Sequence, residues 1–223
     1  FKAICGFVLA QGKMTWQGKD LTCDSIKERA DKIGYVLQNP NQMISQKMIF
    51  DEVALGLRLR GVDPADIQTR VEKVLQVCGL YPFRHWPISA LSYGQKKRVT
   101  IASILVLEPE MLILDEPTAG QDYRHYTEMM VFLDELNRLG KTIVMITHDM
   151  HLMLEYSERT LVINDGKILA DGAPIDILTS PPLVKEAALK ETTLFTFATR
   201  LGLTDPIGFT QRFIACEEGG RVR

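Results

Sequence analysis

The amino-acid sequence predicts an α/β fold built around a largely parallel sheet. Short β-type runs suited to buried strands occur at 33–37, 111–114 and 142–147. Segments between them carry apolar residues at helical spacing, most clearly at 67–78. Buried apolar strands that alternate with amphipathic helices are typical of a parallel sheet covered by helices.

The composition excludes several classes of protein. Of the 223 residues, 46% are hydrophobic and 24% are charged, which is typical of a globular chain and not of a disordered or fibrous one. The net charge of −2 predicts no general attraction to nucleic acid or anionic lipid. The longest apolar stretches, such as Ile101–Leu107, are far shorter than the ~18 residues that cross a bilayer, so any membrane role must come through a partner. The four cysteines lack CxxC spacing and are expected to be reduced thiols in a cytosolic compartment.

The first half of the chain predicts a strand-and-turn segment, a buried strand and a helix. Residues 13–19 have strand character with a glycine at the turn. The strand at 33–37 stops before Pro40, because proline disfavours helical geometry in the residue before it. Asp63 is followed by a proline, and this pair predicts the N-cap and first turn of a helix that Gly79 ends.

The second half predicts further helices, a hairpin and a helical tail. Helices are expected at 92–107 and 122–140, each followed by one of the buried strands. Residues 160–170 predict a hairpin with a primed Asp-Gly turn. A mostly helical tail is expected from 179 to 203, and the stretch at 216–223 is expected to be frayed.

Two acidic residues, Asp115 and Glu116, directly follow the apolar strand at 111–114. The carboxyl ends of parallel strands form the edge at which α/β proteins bind ligands. One carboxylate at such an edge can hold Mg²⁺, and the other can orient or deprotonate a water molecule. The alternative is a solvated strand end without a catalytic role.

Ser92, Gly94 and Gln95 stand at the start of a predicted helix. Ser92 and Gln95 have the spacing of a capping box, so a well-capped helix is one interpretation. An anion site is the other, because free N–H groups, a hydroxyl and a glycine that permits close approach meet at this helix N-terminus. Both interpretations stay open at this point.

Gln38 and His148 each follow a predicted strand. The Gln38 amide can ligate Mg²⁺ or position a water molecule, and His148 can contact a phosphate or stabilise charge in a transition state. A lone histidine in this position is more often structural, and a single glutamine carries little information. The other histidines are interpreted as surface or packing residues: His85, His125 and His151.

The order and spacing of these motifs resemble the nucleotide-binding domain of ABC transporters, over residues 1 to about 175. Gln38 resembles the Q-loop and His148 the switch histidine. The other matching segments are Leu91–Gln95 for the signature, Met111–Glu116 for the Walker B strand with its catalytic glutamate, and Ala119–Asp122 for the D-loop. Tyr93 departs from the commonest signature, which has glycine at this position.

The resemblance implies a P-loop NTPase fold of the ABC type, with a helical signature subdomain and a helical C-terminal tail. It divides the chain into an ATPase domain at 1–178, which includes a helical and signature region at 39–110, and an extension at 179–223. It also implies ATP hydrolysis with Mg²⁺ as the cofactor.

The resemblance assigns roles to individual residues. Gln38 and Asp115 are expected to hold Mg²⁺, and Glu116 and His148 are expected to be catalytic. The residues expected to bind nucleotide are Gln38, Ser92, Gly94, Gln95, Asp115 and Asp122.

One motif of that family, the P-loop, has no counterpart in the 223 residues. The pattern Gly-x-x-x-x-Gly-Lys-Ser/Thr occurs nowhere, and Gly140–Thr142 precedes a strand instead of following one. In the resembled family, residues 1–6 would lie on the helix that follows the P-loop. We therefore expect a chain truncated before residue 1, which would be inactive as an ATPase by itself.

Short strings at 38–42, 51–57 and 95–98, with the helical tail, resemble the ATPases of energy-coupling-factor importers. This subtype implies import of a metal ion, or of a vitamin or a precursor such as that of thiamine, at the cytoplasmic face of the cell membrane. It implies an integral membrane partner and a second ABC ATPase domain, and no nucleic acid. Residues 42–59 are expected to relay closure to the membrane subunit, and the tail at 183–203 to strengthen dimerisation.

Two other functions stay open. The chain could be a non-hydrolysing half that only donates its signature to a partner's site, although Glu116 and His148 are both present. It could also be a soluble ABC ATPase of DNA repair or of the ribosome, although no long coiled-coil insertion or basic linker is visible.

Overall fold

The computed structural model describes residues 1–189 and 193–221. It contains two compact units, residues 1–146 and 147–223. The domain boundary expected between 178 and 179 stays a prediction. The parts of the expected tail at 190–192 and 222–223 lie outside the described residues.

The described residues form both strands and helices. The strands are β1 (Thr15–Trp16), β2 (Lys19–Asp20), β3 (Ile33–Val36), β4 (Met111–Asp115), β5 (Thr142–Ile146), β6 (Thr160–Asn164) and β7 (Lys167–Gly172). The α-helices are α1 (Ile26–Ala30), α2 (Ile49–Leu59), α3 (Pro64–Val77), α4 (Tyr93–Leu105), α5 (Tyr123–Arg138), α6 (Met150–Tyr156), α7 (Pro174–Leu178), α8 (Pro181–Glu186), α9 (Thr193–Arg200) and α10 (Pro206–Arg221). Short 3₁₀ helices lie at Pro40–Gln42, Tyr81–Phe83 and Ile88–Ala90.

A parallel sheet with strand order β3-β4-β5 forms the centre of the first unit. Ile33 of β3 pairs with Met111 of β4, and Met111 pairs with Thr142 of β5. Because the strands run in the same direction, their carboxyl ends meet at one edge of the sheet. This arrangement confirms the predicted α/β fold class and brings the residues after each strand to a shared edge.

Helix α4 lies directly on one face of this sheet. Gly34 of β3 permits the close approach, because a Cβ at this position would collide with the side chain of Ile104 in α4. The opposite face carries a small apolar cluster of Cys5, Ile33 and Ile113. The sheet is therefore covered on both faces, as its apolar strands predicted.

The predicted helix starts are confirmed by their caps. Asp63 Oδ1 accepts a hydrogen bond from Ala65 N at 2.9 Å at the start of α3, and Asp122 caps α5 through His125 N. The helix expected at residues 1–6 is wrong, since hydrogen-bonded turns form there. The Arg29 guanidinium donates hydrogen bonds to carbonyl oxygens in this stretch, with Nη1 at 2.8 Å from Ala3 O. In a helix these carbonyls would accept from backbone N–H groups of the helix itself.

The second unit contains the predicted hairpin and the helical tail. Asp165 and Gly166 join β6 to β7 with φ values of 47° and 73°, the primed turn that the sequence predicted. The expectation of a frayed stretch at 216–223 is wrong as far as residue 221, because α10 continues to Arg221. Its helical start was missed, although Pro206 occupies the first turn, where the absent proline N–H needs no partner.

In the part of the chain that the structure describes, no helix is both long enough and apolar enough to cross a membrane.

Candidate functional site

Asp115 ends β4 at the shared edge of the sheet and Glu116 follows it directly, as predicted. Glu116 has a φ of 45°, in the left-handed region that non-glycine residues rarely adopt. Its N–H donates to the carbonyl of Ile146 at 2.9 Å, and its carbonyl accepts from Ala119 N at 3.2 Å. The chain thus turns sharply after Asp115, and hydrogen bonds on both sides of Glu116 hold the turn.

The Asp115 carboxylate is bonded from the neighbouring strand. The hydroxyl of Tyr35 in β3 donates to Asp115 Oδ2 at 3.1 Å. Burial raises the pKa of Tyr35, and the negative charge of Asp115 raises it further, so the phenol stays protonated and remains a donor. Sequence reasoning missed Tyr35, although the alternation of a parallel strand places residues 33 and 35 on the same face.

Gln38 lies just beyond the end of β3, with an exposed side chain. Its backbone carbonyl accepts two hydrogen bonds from α4, from Lys97 Nζ at 2.6 Å and from Tyr93 Oη at 3.3 Å. The backbone that carries the Gln38 side chain is therefore hydrogen-bonded to α4.

Lys97 is a second functional candidate that sequence reasoning missed. Its side chain is 1% exposed, and Nζ lies 3.1 Å from the carbonyl oxygen of Leu37, 2.6 Å from that of Gln38, and 3.4 Å from those of Asp115 and Glu116. Burial lowers the pKa of Lys97 to about 8, and the charges of Asp115 and Glu116 oppose that shift.

The sequence does carry a signal for the burial of Lys97. Ile101 and Leu105 follow it at helical spacing and are buried on the same face of α4. A lysine on the apolar face of a helix needs polar partners in the core. The identity of those partners depends on two distant strand ends, which the helix pattern does not reveal.

Ser92 and Gln95 form the predicted capping box at the start of α4. Ser92 Oγ accepts from Gln95 N at 3.2 Å, and Gln95 Oε1 accepts from Ser92 N at 3.0 Å. This confirms the capping interpretation. The anion-site interpretation stays a prediction. It is compatible with the cap, because a capped helix N-terminus still carries the positive end of the helix dipole.

Gly94 and Asp122 lie close to a common neighbour, His125. A Cβ on Gly94 would be 3.8 Å from His125 Cδ2. Asp122 Oδ1 accepts from His125 N at 2.9 Å and lies 2.8 Å from His125 Nδ1. The backbone hydrogen bond from His125, followed by that of its side chain, lowers the pKa of Asp122. The start of α4 and the start of α5 are therefore adjacent.

His148 belongs to the second unit. Its side chain is exposed, and it directly precedes Asp149, which caps α6 by accepting from His151 N at 2.9 Å. Within the first unit, the structure brings Gln38, Asp115 and Glu116 to one sheet edge around Lys97.

The donor set at this edge suits Mg²⁺, which prefers oxygen ligands and binds through one or two carboxylates together with substrate phosphates. Asp115 supplies a carboxylate and Gln38 an amide oxygen, at the ends of adjacent strands. Within residues 1–189 and 193–221, no cluster of three or more His, Cys, Asp or Glu side chains could hold a metal by itself. Both residues fit the ion as members of a site that phosphate oxygens complete.

Comparison with known proteins agrees with this geometry. The ABC transporter family model matches residues 1–119. The chain is 69% identical over 215 residues to a protein of Enterococcus faecalis, with 96% of this chain and 38% of the relative covered. It is 64% identical over 219 residues to a protein of Streptococcus mutans, with 98% and 39% covered. Both relatives are provisionally named ABC transporter ATP-binding proteins.

A solved structure is also similar. It is cbiO1 from Clostridium perfringens, described as part of the ABC transporter complex cbiONQ. The TM-score is 0.76 at 29% sequence identity, with 91% of this chain and 81% of cbiO1 covered. The chain spans 38% and 39% of the length of the two curated relatives above.

The family match covers residues 1–119, more than half of the chain, and includes the Gln38 loop, the capped helix α4 and the Asp115–Glu116 strand end. The chain therefore belongs to the ABC transporter family, as an ATP-binding domain.

Proposed function

We propose that this chain is the ATP-hydrolysing part of an importer and drives solute uptake through an integral membrane partner. The observation that carries the proposal is the meeting of Gln38 with Asp115 and Glu116 at one sheet edge, in a chain of the ABC family. This edge presents an amide and two carboxylates to a nucleotide. Phosphoryl transfer to water uses such groups to hold a metal ion and to position the attacking water.

In the proposed mechanism, Asp115 and Gln38 would hold Mg²⁺, which supplies charge neutralisation to the phosphates when bound. Glu116 polarises the attacking water, and the hydrogen-bonded turn at its own backbone holds it just beyond the end of β4. His148 contacts the γ-phosphate. The P-loop pattern is absent from these 223 residues, so we propose that the chain by itself is inactive as an ATPase.

The site would be completed by a second ABC domain. Ser92, Gly94 and Gln95 would face the ATP bound by the opposite domain, with Asp122 at the same boundary. The positive end of the α4 dipole suits the γ-phosphate. Closure of the two domains excludes water and is relayed to the membrane subunit through residues 42–59.

The energy-coupling-factor subtype is part of the proposal. Its support is the similarity to cbiO1 at a TM-score of 0.76, together with the short strings that resemble this subtype. The solute would be a metal ion, a vitamin or a vitamin precursor. The location would be the cytoplasmic face of the membrane, where the protein is peripheral. The tail at 183–203 would strengthen dimerisation.

The test is Glu116→Gln in the full-length protein assembled with its membrane partner. The substitution keeps the size of the side chain but removes the base, so we expect turnover to fall about 100-fold or more while the Kd for ATP stays within about threefold. Glu110→Gln is the matched control, because Glu110 is an exposed carboxylate just before the start of the same strand. Unchanged turnover in Glu116→Gln would refute the role of Glu116.

The same experiment addresses the signature-donor alternative. A non-hydrolysing half would tolerate Glu116→Gln and would still lose the partner's activity when Ser92 is replaced. A hydrolysing domain loses activity with either substitution. Purification of the full-length protein without any membrane subunit, from cells that make it naturally, would instead favour the soluble ABC classes.

A further inference from the structure

We propose that Lys97 is a positioning residue for ATP hydrolysis, which holds the backbone at Gln38 and at Glu116 in one geometry so that both side chains act on the same nucleotide. The inference rests on the proposed function, because it needs a hydrolytic reaction to position. Lys97 does not touch the substrate in this proposal. It acts through the two segments that carry Gln38 and Glu116.

The first support is the set of partners of Lys97. Its ammonium has three N–H donors, and the four oxygens nearest to it are backbone carbonyls, two from the end of β3 and two from the end of β4. Gln38 O at 2.6 Å is the nearest, and Asp115 O and Glu116 O lie at 3.4 Å. One side chain therefore bridges the two strand ends that carry the proposed metal ligands and the proposed base.

The second support is the energetic penalty of placing an ammonium at this position. A lysine that is 1% exposed loses its hydration, and hydrogen bonds must replace it. Ile101 and Leu105 are buried on the same face of α4, so an apolar side chain would also fit the packing there. Packing alone does not require a cation at this position. A buried ammonium among carbonyl oxygens additionally orients the peptide groups that surround it.

The third support is the backbone at Glu116. Its φ of 45° is unfavourable for a residue with a Cβ and persists where the surroundings hold it. Ile146 O accepts from its N–H on one side, and Ala119 N and Lys97 Nζ donate to its carbonyl on the other. Removal of the ammonium takes away one of these constraints and allows the carboxylate of Glu116 to change direction.

The fourth support is the location of Lys97 on α4. The helix begins at the capped Ser92, and Tyr93 of its first turn also donates to Gln38 O, at 3.3 Å. Lys97 lies about one turn further along. The Gln38 loop, the Asp115–Glu116 turn and the signature helix are thus joined through one side chain, so a shift of any one segment displaces the others.

The experiment compares Lys97→Met with Lys97→Gln in the full-length protein assembled with its membrane partner. Methionine and glutamine side chains have the same length, so the pair differs mainly in whether a donor is present. We expect kcat for ATP to fall about tenfold or more in Lys97→Met, with the ATP KM within about threefold. Lys97→Gln should recover at least about threefold of that loss, because its amide still donates to carbonyls.

Lys73→Met is the matched control, since Lys73 is an exposed lysine on α3 of the same unit, and it should keep the parent kcat. Equal kcat values in Lys97→Met and Lys97→Gln would overturn the proposal, as would a kcat within twofold of the parent in both. Failure of both variants to fold would also overturn it, because the residue would then serve the fold and not the reaction. Circular dichroism on the same samples establishes folding.

Glu116→Gln in the same series separates this proposal from the proposed function. If Glu116→Gln loses turnover while both Lys97 variants keep it, only the positioning role fails. If Glu116→Gln keeps the parent turnover, the proposed function fails, whatever the Lys97 variants do. A double variant of Gln38→Ala and Lys97→Met should lose less than the product of the single effects, because both act on the same segment.

Discussion

The hydroxyl of Tyr35 donates a 3.1 Å hydrogen bond to Oδ2 of Asp115, across the pairing of β3 with β4. The bond joins a residue inside one strand to the carboxylate that ends the next. The bond holds the Oδ2 atom of the carboxylate in place. Because Oδ1 belongs to the same planar group, the bond restricts the position of Oδ1 as well. We therefore expect Tyr35 to influence how Asp115 meets Mg²⁺.

Tyr35→Phe should raise the Mg²⁺ concentration that half-saturates ATP hydrolysis by about threefold to tenfold, because an Asp115 without its donor is less well oriented. The measurement is a Mg²⁺ titration of ATPase activity in the full-length protein. Tyr81→Phe is the control, since Tyr81 lies in a 3₁₀ helix away from the strand end. An identical titration curve for Tyr35→Phe would show that the hydrogen bond does not orient Asp115.

Two capping boxes in the first unit permit a comparison of structure with function. Ser92 with Gln95 caps α4, and Ser25 with Glu28 caps α1. Loss of either serine hydroxyl should lower the free energy of unfolding by about 1 kcal/mol. Only Ser92→Ala should also lower ATP turnover, by about tenfold or more, if the start of α4 faces nucleotide.

The measurements are urea unfolding followed by circular dichroism, and steady-state ATP hydrolysis, on the parent, Ser25→Ala and Ser92→Ala. Equal turnover in the two variants would mean that Ser92 is only a cap. This outcome would leave the catalytic role of Glu116 untouched and would remove the signature role from the proposal.

The buried carboxylate of Glu52 links α2 to the loop before it. Glu52 is 5% exposed, and its Oε2 accepts from Ser45 N at 2.8 Å and from Gln46 N at 2.7 Å. The loop lies inside the region proposed to relay closure to the membrane subunit. Glu52→Ala removes the carboxylate that accepts hydrogen bonds from the Ser45 and Gln46 N–H groups. The loop should therefore lose its fixed geometry.

We expect Glu52→Ala to lower solute uptake by about tenfold in reconstituted vesicles, while ATP hydrolysis falls by less than about threefold. The ratio of solute transported to ATP hydrolysed is the readout. Glu72→Ala serves as the control, since Glu72 is a carboxylate of α3 outside this loop. A parallel fall of uptake and hydrolysis would contradict a relay role for the loop.

Cys78 and Cys23 should differ strongly in reactivity. Cys78 is fully buried at the end of α3, and burial raises the pKa of its thiol to about 12. A raised pKa leaves almost no thiolate at pH 8, whereas Cys23 is exposed. Iodoacetamide at pH 8 should label Cys23 within minutes and Cys78 only after urea unfolding, as measured by peptide mass mapping. Equal labelling rates in the folded protein would contradict the placement of α3.

Much of the fold could be predicted because its signals are local. The Asp63 and Asp122 caps, the Asp165–Gly166 turn and the apolar strand at 111–114 each act within a few residues, so short patterns reveal them. The two errors have different causes. In the turns at residues 1–6, the carbonyls of Ala3 and Ile4 accept hydrogen bonds from Arg29, which is distant in sequence and which no local pattern reveals. The stretch from 216 was expected to be frayed because its residues are small and charged, although α10 begins upstream at Pro206.

The candidate site was predicted in part. The order of Gln38, the Ser92–Gln95 motif, Asp115–Glu116 and His148 along the chain was sufficient to indicate the ABC family, and the family match supports that inference. The assigned role of each residue stays a prediction that the substitutions above test.

Most elements, their caps and the order of the motifs could be predicted from short patterns, because capping, turn formation and apolar periodicity depend on neighbours in the chain. The partners of Tyr35 and Lys97 follow only from the way the strands and helix α4 pack. Tyr35 meets Asp115 80 residues away, and Lys97 meets Gln38 59 residues away. Such contacts follow from which strands pair and which helix lies on them, and the register of β3, β4 and α4 brings together atoms that no local pattern connects.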